Sequence, residues 1–139
     1  MWTCPNCGRP FTRAHQSHSC GRFSVDAFLQ GKSDEQMGLY RKFESLALSV
    51  GDVNIAPAKG RIGFQHGRIF AAVNAVNRNG IRVHIVTSTP IEAQRVARTE
   101  VLSEDSCVNH IALNTPTQVD GELRRWLQLG YEWGGKRLR

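Results

Sequence analysis

Seventeen positions near the N-terminus, Cys4 to Cys20, hold three of the chain's four cysteines and two of its five histidines. The run reads C-P-N-C-G-R-P-F-T-R-A-H-Q-S-H-S-C. Cys4-x-x-Cys7 followed by Gly8 is the spacing of a metal knuckle. Two thiolates three residues apart grip one ion while neighbouring backbone N–H groups point at the sulfurs, and the glycine permits the turn. A zinc ion takes four ligands, so two more must come from His15, His18 and Cys20. His18 with Cys20 gives intervals of ten and one residues; His15 with Cys20 gives seven and four. Three thiolates and one imidazole leave such a site at net minus one, and Arg9, Arg13 and Arg22 stand close in sequence to offset it. A redox C-x-x-C opens a helix after a buried strand, whereas only Met1-Trp2-Thr3 precedes Cys4. The same three residues leave no room for a secretion signal ahead of a disulfide. A structural zinc site with a full ligand set is the expectation. Such a site has no open position at which to activate water.

At 139 residues the chain has the length of one domain with a small appendage. No apolar run approaches the ~20 residues of a membrane span, so a soluble chain is expected. The lack of a secretion signal and an odd cysteine, Cys107, beyond the ligand set point to a reducing cytoplasm. The formal charge of +6 is concentrated: residues 53–98 contain Lys59, Arg61, Arg68, Arg78, Arg82, Arg95 and Arg98 against Glu92 alone. A positive segment of this kind fits an anionic partner, nucleic acid first among them.

The elements that must position these residues follow from periodicity. Residues 21–32 connect the metal stretch to the rest, with Ser24 capping a short turn that carries Val25, Phe28 and Leu29 and is expected to dock the metal module. Ser33-x-x-Gln36 is a capping box opening a helix whose stripe is Leu39, Phe43, Leu46 and Val50, with Gly38 inside it as a mark of close packing. From Val53 the period becomes two. Val53 with Ile55, Ile62 with Phe64, Ile69 to Val76 and Ile81 to Ile85 read as antiparallel strands, with Asn79-Gly80 as the hairpin turn between the last two. Cys107 to Leu113 reads as another. Val96 to Leu102 is a weaker strand, because residues 91–98 also suit a helix. Thr115-Pro116-Thr117-Gln118 then opens a C-terminal helix with the stripe Val119, Leu123, Trp126, Gly130 and Trp133, ending at Gly134-Gly135 before a basic tail. The expected fold is α+β: a zinc-binding module over residues 1–23, then a helix–sheet–helix domain over residues 24–139. Its antiparallel sheet has about five strands, with N- and C-terminal helices packed on one face. The other face is expected to be wet and basic, displaying Arg61, Arg82 and a solvated His84.

Two motifs together, W-T-C-P-x-C-G-R-x-F with Q-S-H-S-C-G-R and V-x-x-x-P-x-K-x-R-I-x-F at Val53 to Phe64, resemble the bacterial domain-of-unknown-function 5655 proteins nearly end to end. The resemblance implies a zinc-ribbon-like start ahead of a small helix–sheet–helix domain and assigns no activity. It favours His18 over His15, giving Cys4, Cys7, His18 and Cys20 as the metal set, and it draws attention to Pro57, Lys59 and Arg61.

No catalytic constellation stands out. Cys107 and His110 fall on opposite faces of a strand, no serine lies in a nucleophile elbow, and Gly60-Arg61-Ile62-Gly63 is not at a helix N-terminus where it could cradle phosphate. A non-enzymatic, zinc-braced binding module using Lys59, Arg61 and Arg82 is therefore the leading expectation. The alternative is a small-ligand protein or enzyme with a cleft between sheet and C-terminal helix, lined by Trp126, Tyr131 and Trp133.

Overall fold

A computed structural model describes residues 2–16, 18 and 20–136 of the chain; the basic tail over residues 137–139 lies outside the described residues. Strands β1 (Trp2–Thr3) and β2 (Pro10–Phe11) form a small antiparallel ribbon. Helices α1 (Val25–Leu29) and α2 (Asp34–Leu48) follow. Six strands then make one antiparallel sheet: β3 (Asn54–Ala58), β4 (Arg61–His66), β5 (Arg68–Asn77), β6 (Gly80–Thr87), β7 (Val96–Ser103) and β8 (Ser106–Leu113). Their spatial order is β3-β4-β5-β6-β8-β7. Helix α3 (Gly121–Gly135) closes the chain.

The capping box forms as the sequence dictates. The Gln36 backbone N–H donates to Ser33 Oγ at 3.2 Å, and the Ser33 N–H donates to Gln36 Oε1 at 2.7 Å. Leu39, Tyr40, Phe43 and Ala47 of α2 are buried, as are Leu123, Trp126, Leu127, Gly130 and Trp133 of α3. Both helices pack on the same face of the sheet, against β5 and β6. That inner face is assembled by register. One cross-strand row runs Pro57–Ile62–Val73–Val83–Ile111–Val96, and the next runs Ile55–Phe64–Ala71–Ile85–Asn109–Thr99. Each large apolar side chain fully buried there contributes about 1.5–3 kcal/mol relative to exposure. A bulge between Phe64 and Gln65 leaves Phe70 without a cross-strand partner. Its fully buried ring packs on the helix side, edge-on to Tyr131.

The expected antiparallel sheet is present, with the weaker β7 as its sixth strand: residues 91–95 form a loop and β7 pairs with β8 along its length. Several local expectations need correcting. The β5–β6 turn centres on Arg78 and Asn79, with Asn77 paired to Gly80, one residue earlier than Asn79-Gly80. Asn77 Oδ1 accepts from the Asn79 N–H at 2.9 Å, which sets this turn. Gly80 is needed for another reason: a Cβ there would lie 2.0 Å from the Leu113 carbonyl oxygen. Thr115-Pro116-Thr117-Gln118 opens a 3₁₀ turn, not the helix. Val119 leaves helical geometry, and Asp120 caps α3 by accepting from the Leu123 N–H at 3.1 Å.

Two helical glycines behave in opposite ways. Gly38 is exposed with nothing within 4 Å of a would-be Cβ, so it marks no close packing. Gly134 is buried, and a Cβ there would meet the His66 carbonyl oxygen at 2.6 Å. Gly38→Ala should stabilise the protein by roughly 0.5–1 kcal/mol. Gly134→Ala should destabilise it by about 1–3 kcal/mol because backbone must shift. Urea denaturation of the two variants checks the pair; equal effects would contradict the packing described for α3.

Candidate metal centre and basic sheet face

The ribbon and the loop after it bring four donors together. Cys4, Cys7, His18 and Cys20 offer ligand atoms that all lie within 4.8 Å of one another. Cys4 Sγ is 3.6 Å from Cys20 Sγ, and Cys7 Sγ is 3.2 Å from His18 Nε2. Metal–sulfur bonds of about 2.3 Å at tetrahedral angles put sulfurs roughly 3.8 Å apart, so the set fits a tetrahedral ion. The knuckle is local backbone geometry. The Cys4 N–H donates to the Arg9 carbonyl and the Gly8 N–H to the Cys4 carbonyl, with Gly8 at φ 76°. The Cys7 N–H bonds the Cys4 sulfur and, against the opposing effect of burial and with smaller help from the Asn6 N–H and the Cys20 and Cys7 thiols, pulls the Cys4 thiol down to about 6. Thiolate character is what metal binding requires. His18 Nδ1 lies 2.6 Å from the Gln16 carbonyl oxygen. That oxygen accepts the Nδ1 proton and leaves Nε2 free to face the sulfurs. His15, the other candidate, is exposed at φ 56°, with its ring 5.2 Å from Trp2.

The module sits on the outer face of the sheet, opposite α2 and α3. Gln65 is the joint. It belongs to the outward row Asn54–Gln65–Ile69, yet is only 2% exposed. Its Oε1 accepts from Arg9 Nε at 3.1 Å, and its Nε2 donates to the Pro10 carbonyl at 2.7 Å and the Gly67 carbonyl at 3.2 Å. The docking expected of Val25, Phe28 and Leu29 is thus made elsewhere: Leu29 is buried in the main core and Phe28 packs on Tyr40. Between module and sheet lies a hollow of about 360 Å³ lined by Arg9, Phe11, His18, Arg61, Gln65 and Ile69, among others.

The rest of the outer face is built by register. A cross-strand row runs Ala56–Gly63–Ala72–His84–His110–Arg98, and beside it Arg82 faces Ala112. The floor is small residues and the rim is basic. Arg82 and Arg98 flank a second hollow of about 680 Å³ that Asn74, His110 and Ala112 also line. Lys59 is exposed in the β3–β4 turn, and Arg61 and Arg82 are exposed on their strands. Among the described residues these three make no ion pair. The positive segment is not all available, however. Arg95 bonds Asp120, Glu122 and the Gln118 carbonyl at the start of α3. Arg68 lies 3.5 Å over the Trp133 ring and donates to the Trp133 carbonyl at the other end of that helix.

Residues 25–134 match the family model described as a domain of unknown function (DUF5655). The chain belongs to this DUF5655 family. Neither a curated protein nor a solved structure matches it. The DUF5655 span contains Lys59, Arg61 and Arg82, and the four metal donors lie before it. No helix among the described residues is long and apolar enough to cross a membrane.

The three aromatic residues expected to line a cleft are packed instead. Trp126 and Trp133 are 8% and 7% exposed, and Tyr131 stacks on His66 with centroids 3.7 Å apart. Cys107 is buried and His110 is on the outer face, as the strand period requires. His84 is not solvated: it is half-buried, with Nδ1 2.8 Å from Asn74 Nδ2. Asn74 sits at the bulge between Val73 and Ala75, an irregularity that no sequence period announces. His110 Nε2 is 2.6 Å from Glu100 Oε1, and Arg98 donates to the same oxygen at 3.1 Å. Glu100 is the one carboxylate on the outward strand positions described, and it is already shared. Sequence reasoning missed Gln65, Asn74 and Glu100; their cross-strand partners, visible only in the register, carry the signal.

Burial, then the charges of His110 and Arg61, lowers His84 from its ordinary 6.5 to about 4. Below pH 6.5 the unfolded chain takes up the proton that the folded chain refuses. Stability is therefore full above pH 6.5 and falls as pH drops toward 4, by up to about 3 kcal/mol. Urea titrations across that range should show the loss in the wild type and a flatter profile in His84→Gln; identical profiles would contradict the assignment. Cys7→Ser should abolish stoichiometric metal binding and unfold the N-terminal module while the sheet and its helices keep their thermal transition. Metal analysis with calorimetry checks this, and loss of the whole fold would contradict the small footprint of the joint.

Proposed function

We propose that this chain is a zinc-braced binding module whose outer sheet face engages nucleic acid. Three soft thiolates and one imidazole, all within 4.8 Å of one another, are a donor set that suits zinc. Bound there, the ion supplies cross-linking rather than chemistry, since four protein ligands leave it no open position. Arg9, Gln65 and Pro10 fix the braced module against the sheet.

The observation that carries the reading is the pair Arg61 and Arg82. Both are exposed, both face away from the helices, and neither is neutralised by a carboxylate among the described residues. They stand on strands two apart, about 10 Å by ordinary strand spacing. Lys59 extends the same edge. Asn74 stands between them on β5 and the small Gly63 and Ala72 fill the neighbouring row, while hollows on either side give the face relief. Phosphate contacts of this kind set affinity without setting sequence.

Fluorescence anisotropy with single-stranded and duplex oligonucleotides tests the proposal. Binding should weaken steeply between about 50 and 200 mM salt, and each lost phosphate contact should reduce the salt slope by about one. Arg61→Glu and Arg82→Glu should each weaken binding by about tenfold or more. Arg125→Glu, an exposed change on α3, should leave it unchanged. Wild-type affinity in both sheet variants would remove the outer face from the account.

A further inference from the structure

The last strand of the sheet has one side hydrogen-bonded to β8 and, among the described residues, nothing on the other. An open edge presents a row of backbone donors and acceptors to any extended chain. The opposite edge, β3, carries Pro57, which has no N–H to offer; β7 has no proline. Strand β7 also holds the two most exposed large apolar residues described, Val101 at 68% and Leu102 at 64%. Its sequence, V-A-R-T-E-V-L-S, has a property the other strands lack. Reversed about Thr99, it places Arg98 opposite Glu100, Ala97 opposite Val101 and Val96 opposite Leu102. Two antiparallel copies therefore set opposite charges face to face twice and apolar residues face to face four times, with no like charges opposed. Cross-strand pairs of these kinds are the stabilising ones in a sheet.

We propose that β7 pairs with β7 of a second copy of this chain, antiparallel about Thr99, joining the two sheets into one. The occupant is a second copy because the edge is complementary to itself, as a two-fold interface must be. Arg98 and Glu100 lie on the outer face beside His110, so the interchain ion pairs form there. A two-fold axis normal to the sheet keeps both outer faces on one side, doubling the basic surface. The irregularities between Val96 and Arg98 and between Val101 and Ser103 sit at the strand's ends. They leave Arg98 to Val101 as the regular ladder, with the apolar pairs beyond it meeting through their side chains; because the two-fold contact uses this edge once in each copy, it closes as a dimer. This inference rests on the edge alone and is tested without nucleic acid, so it stands or falls apart from the function proposed above.

The experiment is sedimentation equilibrium of the full zinc-loaded chain from about 10 to 500 μM at about 0.15 M salt, where pairs closer than the ~8 Å screening length still attract. A monomer–dimer equilibrium is expected. Glu100→Arg, which opposes two guanidinium groups, should weaken dimerisation by about tenfold or more. The charge swap R98E/E100R should restore it, since opposite signs meet again. Val101→Lys, at an exposed position that the fold does not need, should also favour monomer, and Thr99→Cys should cross-link two copies under mild oxidation. A monomer throughout the range overturns the proposal, as does a dimer indifferent to Glu100→Arg and Val101→Lys. Failure of the charge swap to recover the dimer also overturns it, because the loss would then come from the broken Glu100–His110 contact within one chain.

Discussion

The pleat of the six-stranded sheet divides the molecule's work. Successive side chains on each strand point to opposite faces, and α2 and α3 both cover the same one. Phe64, Val73, Val83, Ile85 and Ile111 are thereby removed from water on the inner side. Most of what points the other way is left to solvent or to the metal module. That asymmetry explains why arginines with no carboxylate partner among the described residues can stand at Arg61 and Arg82 without cost to the core. It also explains why outward positions near them are small: no helix has to be packed against Ala56, Gly63 or Ala112.

Among the described residues, the metal module reaches the open face through Arg9 and Pro10. It is too small to bury a core of its own, and its apolar contribution is little more than Phe11 and the Cys4 neighbourhood. Two things hold it: the convergence of four donors, and a single buried amide. Gln65 is expensive to bury unpaired, but each of its polar atoms finds a partner, two of the three bonds coming from the module. The docked module turns a flat sheet into a surface with a wall, and His18, a metal donor, lines that wall beside Arg61.

Much of this was legible in the residues, for physical reasons that can be named. Periods of 3.6 and 2 announce α2, α3 and the strands, because burial on one side is a property of spacing. The knuckle announces itself because thiolate ligands tolerate few spacings. The faces of Arg61 and Arg82 follow from counting by two from Ile62 and Val83. What failed was whatever depends on partners distant in sequence. His84 reads as solvated by its alternation, but the Asn74 bulge one strand away encloses it. Thr115-Pro116 reads as a helix start, but Asp120 offers a second cap and the chain uses the first only for a turn. Arg68 and Arg95 read as part of a basic surface, yet both are held at the ends of α3 by contacts with residues 23 or more positions away. Composition counts charge; only register says which charge is free.

The central claim is that the face left open by the helices is where this protein meets its partner. The most direct measurement is a backbone amide NMR titration of the zinc-loaded chain with a short oligonucleotide. Shifts should concentrate at Arg61, Gly63, Ala72, Arg82, His84 and Ala112, and leave Leu123, Leu127 and Gly130 of α3 in place. Shifts confined to α3, or none on the outer row at saturating oligonucleotide, would contradict the account.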